Sequence, residues 1–369
     1  MSTIIFLKDK SAMKIEQIDK NFKKQTFTET ENHHTYTMPC EGFDLYGIFY
    51  DEKLGRFLRM DMDVAKAASP GVTWLNSHTS GGRIRFSTDS SSIGITVAYD
   101  ELLDMCHMPL TGSSGFALLE KIGNTYETIT IFRPQKNDLH GYSGEISIND
   151  HKKHEYILFF PLYNEVKSLQ IHLDKDATLY EPEKYRDIKP ILYYGASIDQ
   201  GGCASRPDAS YPATISKWND MDFINLGFSG NCMGEAVLAE YLSKIECSLF
   251  LMAYDGNAPS VQFLEDTHYP FYEIFRKDQK DVPIIFMSVP SFEYHKDQRI
   301  LKREVLYQSY LKGKAAGDEN LYFLDGETLF GDKDREICTV EGLHPNDLGF
   351  YRMAEVIYKT FGSIDEKFL

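Results

Sequence analysis

Up to about residue 180 the chain alternates apolar and polar positions over short runs. Examples are Arg83-Ile84-Arg85-Phe86-Ser87, Ile93-Gly94-Ile95-Thr96-Val97, the stretch Tyr126 to Phe132, and Leu169-Gln170-Ile171-His172-Leu173. A period of two puts successive side chains on opposite faces, so each run predicts a strand with one face buried and one wet. Turn clusters such as Thr88-Asp89-Ser90-Ser91 separate the runs, and many short strands in succession predict an antiparallel β-sandwich. After residue 190 the pattern changes. Apolar runs at Ile191–Tyr194, Phe223–Leu226, Leu249–Tyr254, Ile284–Val289 and Leu321–Leu324 alternate with helical stretches. The last of these presents Tyr351, Ala354, Ile357 and Phe361 at helical spacing. Alternating strands and helices imply a parallel sheet covered on both faces. Between the two patterns, residues 174–190 (DKDATLYEPEKYRDIKP) are charged, carry two prolines and have no apolar period, which predicts a linker. The division expected is a sandwich domain over 1–177, a linker over 178–190 and an α/β domain over 191–369.

A length of 369 residues fits two domains. With 42% hydrophobic and 25% charged residues the composition is that of a globular protein. A net charge of −16 lacks the basic footprint that nucleic acid or an anionic membrane requires, so neither is expected as a partner. Cys40, Cys106, Cys203, Cys232, Cys247 and Cys338 form no C-x-x-C pair and read as reduced thiols. The only apolar run near the N-terminus, Ile4–Leu7, is too short for a secretory segment, and no stretch is long enough to span a bilayer. A cytoplasmic protein is expected.

In an open parallel sheet, ligands bind beyond the carboxyl ends of the strands. The loops there are distinctive. Tyr194-Gly195-Ala196-Ser197-Ile198 puts a serine at the start of a helix, whose positive end favours a developing negative charge. Gly227-Phe228-Ser229-Gly230-Asn231 lets backbone N–H groups approach a ligand closely. Asp255-Gly256-Asn257-Ala258 offers a side-chain amide, and Glu341-Gly342-Leu343-His344-Pro345 sets an acid three residues before a histidine. Each block alone is an ordinary turn.

Taken in chain order, the four blocks resemble those of the SGNH/GDSL hydrolases, which supply Ser, Gly, Asn and His from successive strand ends. The first block, Gly195-Ala196-Ser197-Ile198-Asp199-Gln200-Gly201, is similar to the Gly-x-Ser-Ile-x-x-Gly form of one branch. Gly42-Phe43-Asp44-Leu45-Tyr46 resembles the Gly-x-Asp-Leu-Tyr signature of the domain that precedes that branch, and Phe160-Pro161-Leu162-Tyr163-Asn164 resembles its closing strands. The resemblance implies a jelly-roll-like sandwich followed by a flavodoxin-like three-layer α/β/α hydrolase domain. It also implies roles. Ser197 would attack an ester carbonyl and His344 would take its proton, so activity should fall on acidification as the imidazole charges. The backbone N–H groups of Ser197 and Gly230 and the amide of Asn257 would hold the oxyanion. Glu341 stands where the family usually has aspartate; it would orient His344, unless a backbone carbonyl does so and Glu341 faces solvent. Ala196 and Ala258 are two further departures from the family pattern. No metal or organic cofactor is implied.

The activity expected is hydrolysis of a short acyl ester, acetyl in the first place, of a carbohydrate or small polar compound. The alternatives are a carbohydrate-binding protein impaired by Glu341, or an acyltransferase using the same nucleophile. The oligomeric state stays open. Several other features are expected to be structural: Gly112-Ser113-Ser114-Gly115 a turn, His33 and His34 a solvated loop, His268 and His295 surface residues, and Arg206 part of a salt bridge. Asp44 and Tyr46 either brace the front domain or face the cleft.

Overall fold

A computed structural model of the protein describes residues 18–19, 24–290 and 295–369. The Ile4–Leu7 run lies outside them. The front region carries β1 (His33–Thr37), β2 (Asp44–Tyr46), β3 (Phe49–Asp51), β4 (Arg56–Leu58), β5 (Arg83–Thr88), β6 (Ser92–Ala98), β7 (Phe116–Ile122), β8 (Thr125–Phe132), β9 (Gly141–Ser147), β10 (His154–Phe159), β11 (Ser168–Asp174) and β12 (Leu179–Tyr180). Three short helices interrupt them: α1 (Met62–Ala68), α2 (Pro70–Leu75) and α3 (Leu110–Ser113). One antiparallel sheet runs β1-β11-β6-β9. The other runs β12-β5-β10-β7-β8, with β2 also on β5. Gly123, at φ +60°, opens the two-residue loop of the β7–β8 hairpin, the place where a II′ turn requires positive φ.

The sheets sandwich a core that includes Ile84, Phe86, Ile95, Phe116, Leu118, Leu158 and Ile171. The alternate residues do not face water, as the period alone suggested. Ala117, Leu119, Ile157 and Phe159 enter a second core shared with Ile191, Tyr193, Leu251, Phe350 and Ile357 of the α/β region. Arg83 and Arg85, on the same face, are buried against Asp222 and Asp220. The six-stranded sheet is therefore covered on both sides. The segment after β11 is also less free than its composition suggests. Its Leu179–Tyr180 pair joins β5, and Tyr185 is buried with its hydroxyl accepting from Arg83 Nε at 2.8 Å.

The second region forms the parallel strands β13 (Ile191–Gly195), β14 (Phe223–Gly227), β15 (Leu249–Ala253), β16 (Ile284–Met287) and β17 (Leu321–Leu324), in the order β14-β13-β15-β16-β17. With the strands renumbered from β13 this is the 2-1-3-4-5 order of flavodoxin-like sheets. The helices are α4 (Ser197–Gln200), α5 (Tyr211–Asn219), α6 (Ala236–Leu242), α7 (Val261–Asp278), α8 (Lys296–Ala315) and α9 (Asp347–Ile364). Along β13, Ile191 and Tyr193 face the core under α5 and α9, while Leu192 and Tyr194 face the core under α6, α7 and α8. Met60, Ala65, Val72 and Leu75 of the front region join the core under α6, α7 and α8, so the front region straddles β14, the edge strand. The outward carbonyls of that edge do not meet water. Arg83 donates to Phe223 O at 3.1 Å, and Arg59 to Asn225 O and Gly227 O at 3.4 and 2.5 Å. Two buried guanidinium groups close an edge that would otherwise be open for pairing.

All six cysteines are free thiols. Among the described residues no helix is long and apolar enough to cross a membrane. His33 and His34 lie in β1 rather than in a loop, with His33 3.3 Å from Glu145, because β1 pairs with β11. Gly112 and Ser113 end α3 instead of forming a simple turn. His268 is not at the surface. It is 1% exposed on α7, between the rings of Tyr254 and Phe286. Asp44 pairs with Lys184, Tyr46 packs edge-on against Tyr185, and Arg206 pairs with Asp208.

Candidate active site

The turn from β13 into α4 is tight. A Cβ at Gly195 would overlap the Asp199 carboxylate, which folds back to accept the Ala196 N–H at 2.8 Å and the Tyr211 hydroxyl at 2.5 Å. Ser197 is the first residue of α4 and is 9% exposed. Gly201 ends the helix at φ +102°, and a Cβ at Gly202 would lie 2.8 Å from the Tyr163 hydroxyl and 3.3 Å from His344 Cδ2. The nucleophile turn thus owes its shape to a buried acid below it and to small residues where the histidine arrives.

His344 is delivered by the loop before α9. Val340 N–H bonds His344 O at 2.9 Å, and Asn346 caps α9 through Gly349 N–H. The Ser197 Oγ is 2.8 Å from His344 Nε2, and His344 Nδ1 is 2.6 Å from Glu341 Oε1. The same oxygen accepts the His344 backbone N–H at 3.0 Å, so Glu341 is turned toward the ring and not away from it. Three groups spaced along the chain form one chain of hydrogen bonds. Through it a hydroxyl proton can move to an imidazole whose opposite nitrogen is held by a carboxylate.

The other two blocks sit at the carboxyl ends of the strands flanking β13. After β14, Phe228 N–H bonds Gly195 O at 2.8 Å and Ser229 N–H bonds Gln200 Oε1 at 2.9 Å. Gly230, at φ +68°, has open space where a Cβ would be. Among the described residues neither its N–H nor that of Ser197 has an acceptor. After β15, Asn257 Nδ2 donates to Phe228 O at 3.2 Å, which engages one of its two amide hydrogens.

Burial sets the electrostatics around this chain. It raises Asp199 to about 7, and it raises the Tyr163 phenol, whose hydroxyl donates to Ser197 O at 3.3 Å. The Cys203 thiol is pushed up to about 12, first by burial and then by the Glu341 charge. Cys203, Glu341 and His344 place donor atoms within 4.8 Å of one another, the one such metal-capable group among the described residues. Two of its members are already engaged with each other.

Several residues of the site carry no local signal. Tyr163 comes from the front region, as does His107, whose ring centroid is 6.0 Å from that of His344. Arg59 holds the carbonyl of Gly227, three residues before Gly230, and its guanidinium lies 4.5 Å from the Phe228 ring centre. Burial without a carboxylate partner pushes its proton affinity down. Asp199 belongs to the first block, but the fold-back of its carboxylate is visible only in three dimensions.

Residues 188–361 match the GDSL-like lipase/acylhydrolase family, and residues 34–179 match the domain described as the N-terminus of SGNH-hydrolase-type esterases. The chain is an SGNH/GDSL hydrolase. Its fold recurs in a protein described as a GDSL-like lipase from Bacteroides ovatus, at 27% identity and a TM-score of 0.81, over 90% of this chain and 98% of that one. A salicylyl-acyltransferase from a tetracycline biosynthetic pathway aligns at 17% identity and a TM-score of 0.72, covering 91% and 98%. An acetyl xylan esterase from Butyrivibrio proteoclasticus aligns at 12% and 0.58, covering 91% and 100%. No curated protein matches the chain. This SGNH/GDSL hydrolase is an enzyme acting on esters, with the sandwich and the α/β fold joined as in those relatives.

Proposed function

We propose that the enzyme is a serine esterase that removes a short acyl group, acetyl in the first place, from a carbohydrate or small polar alcohol. Ser197 Oγ attacks the ester carbonyl while His344 Nε2 takes the hydroxyl proton. The C–O bond to the alcohol then breaks, and His344 returns the proton to the departing oxygen. Water, deprotonated by His344, releases the acid from Ser197. Glu341 holds Nδ1 and stabilises the imidazolium. The N–H groups of Ser197 and Gly230 and the amide of Asn257 stabilise the tetrahedral oxyanion.

The single observation that carries this reading is the unbroken chain Ser197–His344–Glu341, with spacings of 2.8 and 2.6 Å. It also weighs against an impaired binding protein, because glutamate reaches the ring as aspartate would. A short acyl group is supported by a small cavity next to the nucleophile turn, lined by Ala196, Ile198, Asp199, Asp255, Gly256 and Val289 among others, whose volume of about 20 Å³ has room for no more than one water or one methyl group. The carbohydrate is supported by the fold shared with an acetyl xylan esterase. Wild type is expected to hydrolyse p-nitrophenyl acetate and Ser197→Ala is not; equal slow rates for the two would overturn the reading. Acyl transfer is a second reading, favoured by the acyltransferase among the structural relatives. Product analysis with an added sugar acceptor separates it from hydrolysis.

A further inference from the structure

A cavity of about 260 Å³ opens beside the catalytic loops on the front region, with Trp74, His78, Asp100, Glu101, Tyr163 and Arg56 in its wall. It touches the site at three points. Tyr163 donates its hydroxyl to Ser197 O at 3.3 Å. His78 Nδ1 lies 3.5 Å from Gln200 Nε2, and Gln200 Oε1 in turn holds the Ser229 N–H. The helix that carries Trp74 packs so closely on the loop after β14 that a Cβ at Gly71 would overlap the Asn231 side chain. The cavity therefore lies beside the loops that carry Ser197 and Ser229 without containing Ser197 itself.

Its chemistry is specific. Trp74 is 58% exposed, and its ring is steadied by His78 with centroids 4.4 Å apart in an edge-on contact. An aromatic face open to water in a cavity wall is free to stack on the apolar face of a ligand. The same wall carries carboxylates already fixed in place. Asp100 is held by Lys167 at 2.7 Å and Arg56 at 3.3 Å, and Arg56 also holds Glu165 at 2.7 Å. Glu101 is exposed at the rim. One flat apolar face and several pre-positioned acceptors match a pyranose, which offers an apolar C–H face and a ring of hydroxyl donors. The volume falls below the roughly 300–1,000 Å³ of sites for drug-sized ligands, which suits one ring and not an oligosaccharide.

We infer that this cavity is the leaving-group subsite, and that the front sandwich uses Trp74, Asp100 and Glu101 to bind one sugar ring of the ester. The inference rests on the esterase reading above and adds the part of the protein that selects the alcohol. The test compares wild type, Trp74→Ala and Glu101→Gln on vinyl acetate, whose leaving group is too short to reach the cavity, and on mono-O-acetylated glucose, xylose and mannose. Trp74 is exposed, so the variant should fold; its thermal midpoint checks this, and Trp74→Phe should restore function in part. For a sugar ester that wild type hydrolyses, Trp74→Ala is expected to lower the ratio of kcat/KM on that ester to kcat/KM on vinyl acetate about tenfold, mainly through KM. Glu101→Gln should lower it less. An unchanged ratio in both variants, or a wild type that prefers vinyl acetate to every sugar ester, overturns the subsite alone. A wild type inert to vinyl acetate and to all the sugars sinks the esterase reading, and the subsite with it.

Discussion

Asn257 has two amide hydrogens, and the structure occupies one of them with Phe228 O. Under the proposed mechanism the other is aimed at an oxyanion that exists only after attack, so its value should appear in turnover more than in binding. Asn257→Ala is expected to lower kcat by ~10²–10³ with a smaller change in KM, the typical loss for one such donor. The loop is also held by the Asn257 N–H on Tyr254 O, which the substitution keeps. Steady-state kinetics on p-nitrophenyl acetate checks it; an unchanged kcat would remove Asn257 from the oxyanion site. At this scale much of the site was legible. Ser197, Gly230, Asn257 and His344 stand out because each falls in a short loop after a readable strand or before a readable helix. Tyr163 and Arg59 were not legible as site residues, because only the docking of two distant regions brings them there.

Among the elements, α7 carries an anomaly. His268 is fully buried between aromatic rings, and neither ring nitrogen has a partner among the described residues. Burial depresses it to about 3, so it is neutral in the fold. The unfolded chain takes up a proton near pH ~6.5, and the folded chain does not. The stability it permits is complete above that pH and is lost progressively as pH falls toward 3. At pH 5 the loss is roughly 2 kcal/mol for one such group. His78 acts in the same direction, pushed down to about 3 by burial and then by Arg59. His268→Leu should therefore lose less stability than wild type on going from pH 7.5 to pH 5, as read by denaturant midpoints at the two pH values. An equal loss in both would show that the ring is hydrated or partnered. The sequence announced a helical stretch between β15 and β16 but not the depth of its buried face. Likewise the alternation along β5 announced a strand, yet could not say that the side carrying Arg83 and Arg85 would meet another part of the protein instead of water.

For the whole molecule, two of the three main apolar cores draw residues from both regions. The composition break near residue 180 marks a change of architecture, but the regions are not separate in their packing. Residues 181–369 expressed alone would expose Ile191-side core surface, the carbonyls of β14 and the unpaired faces of α5 and α6. They are expected to be insoluble or aggregated and inactive, whereas the full chain should unfold in one thermal transition. A soluble, monomeric and active fragment, or two resolved transitions for the intact protein, would contradict this.

The arginine pair that caps the edge of β14 bears on how such enzymes diversify. A glycan-reading module hung from a flexible tether can be traded for another, but Arg59 and Arg83 make this sandwich part of the hydrolase's own sheet. Recombination that separates the halves would have to replace both guanidinium groups, and the Asp222 that faces Arg83, at once. Under the proposed subsite, point changes at positions 56, 74 and 100–101 should shift alcohol preference while leaving the joint intact.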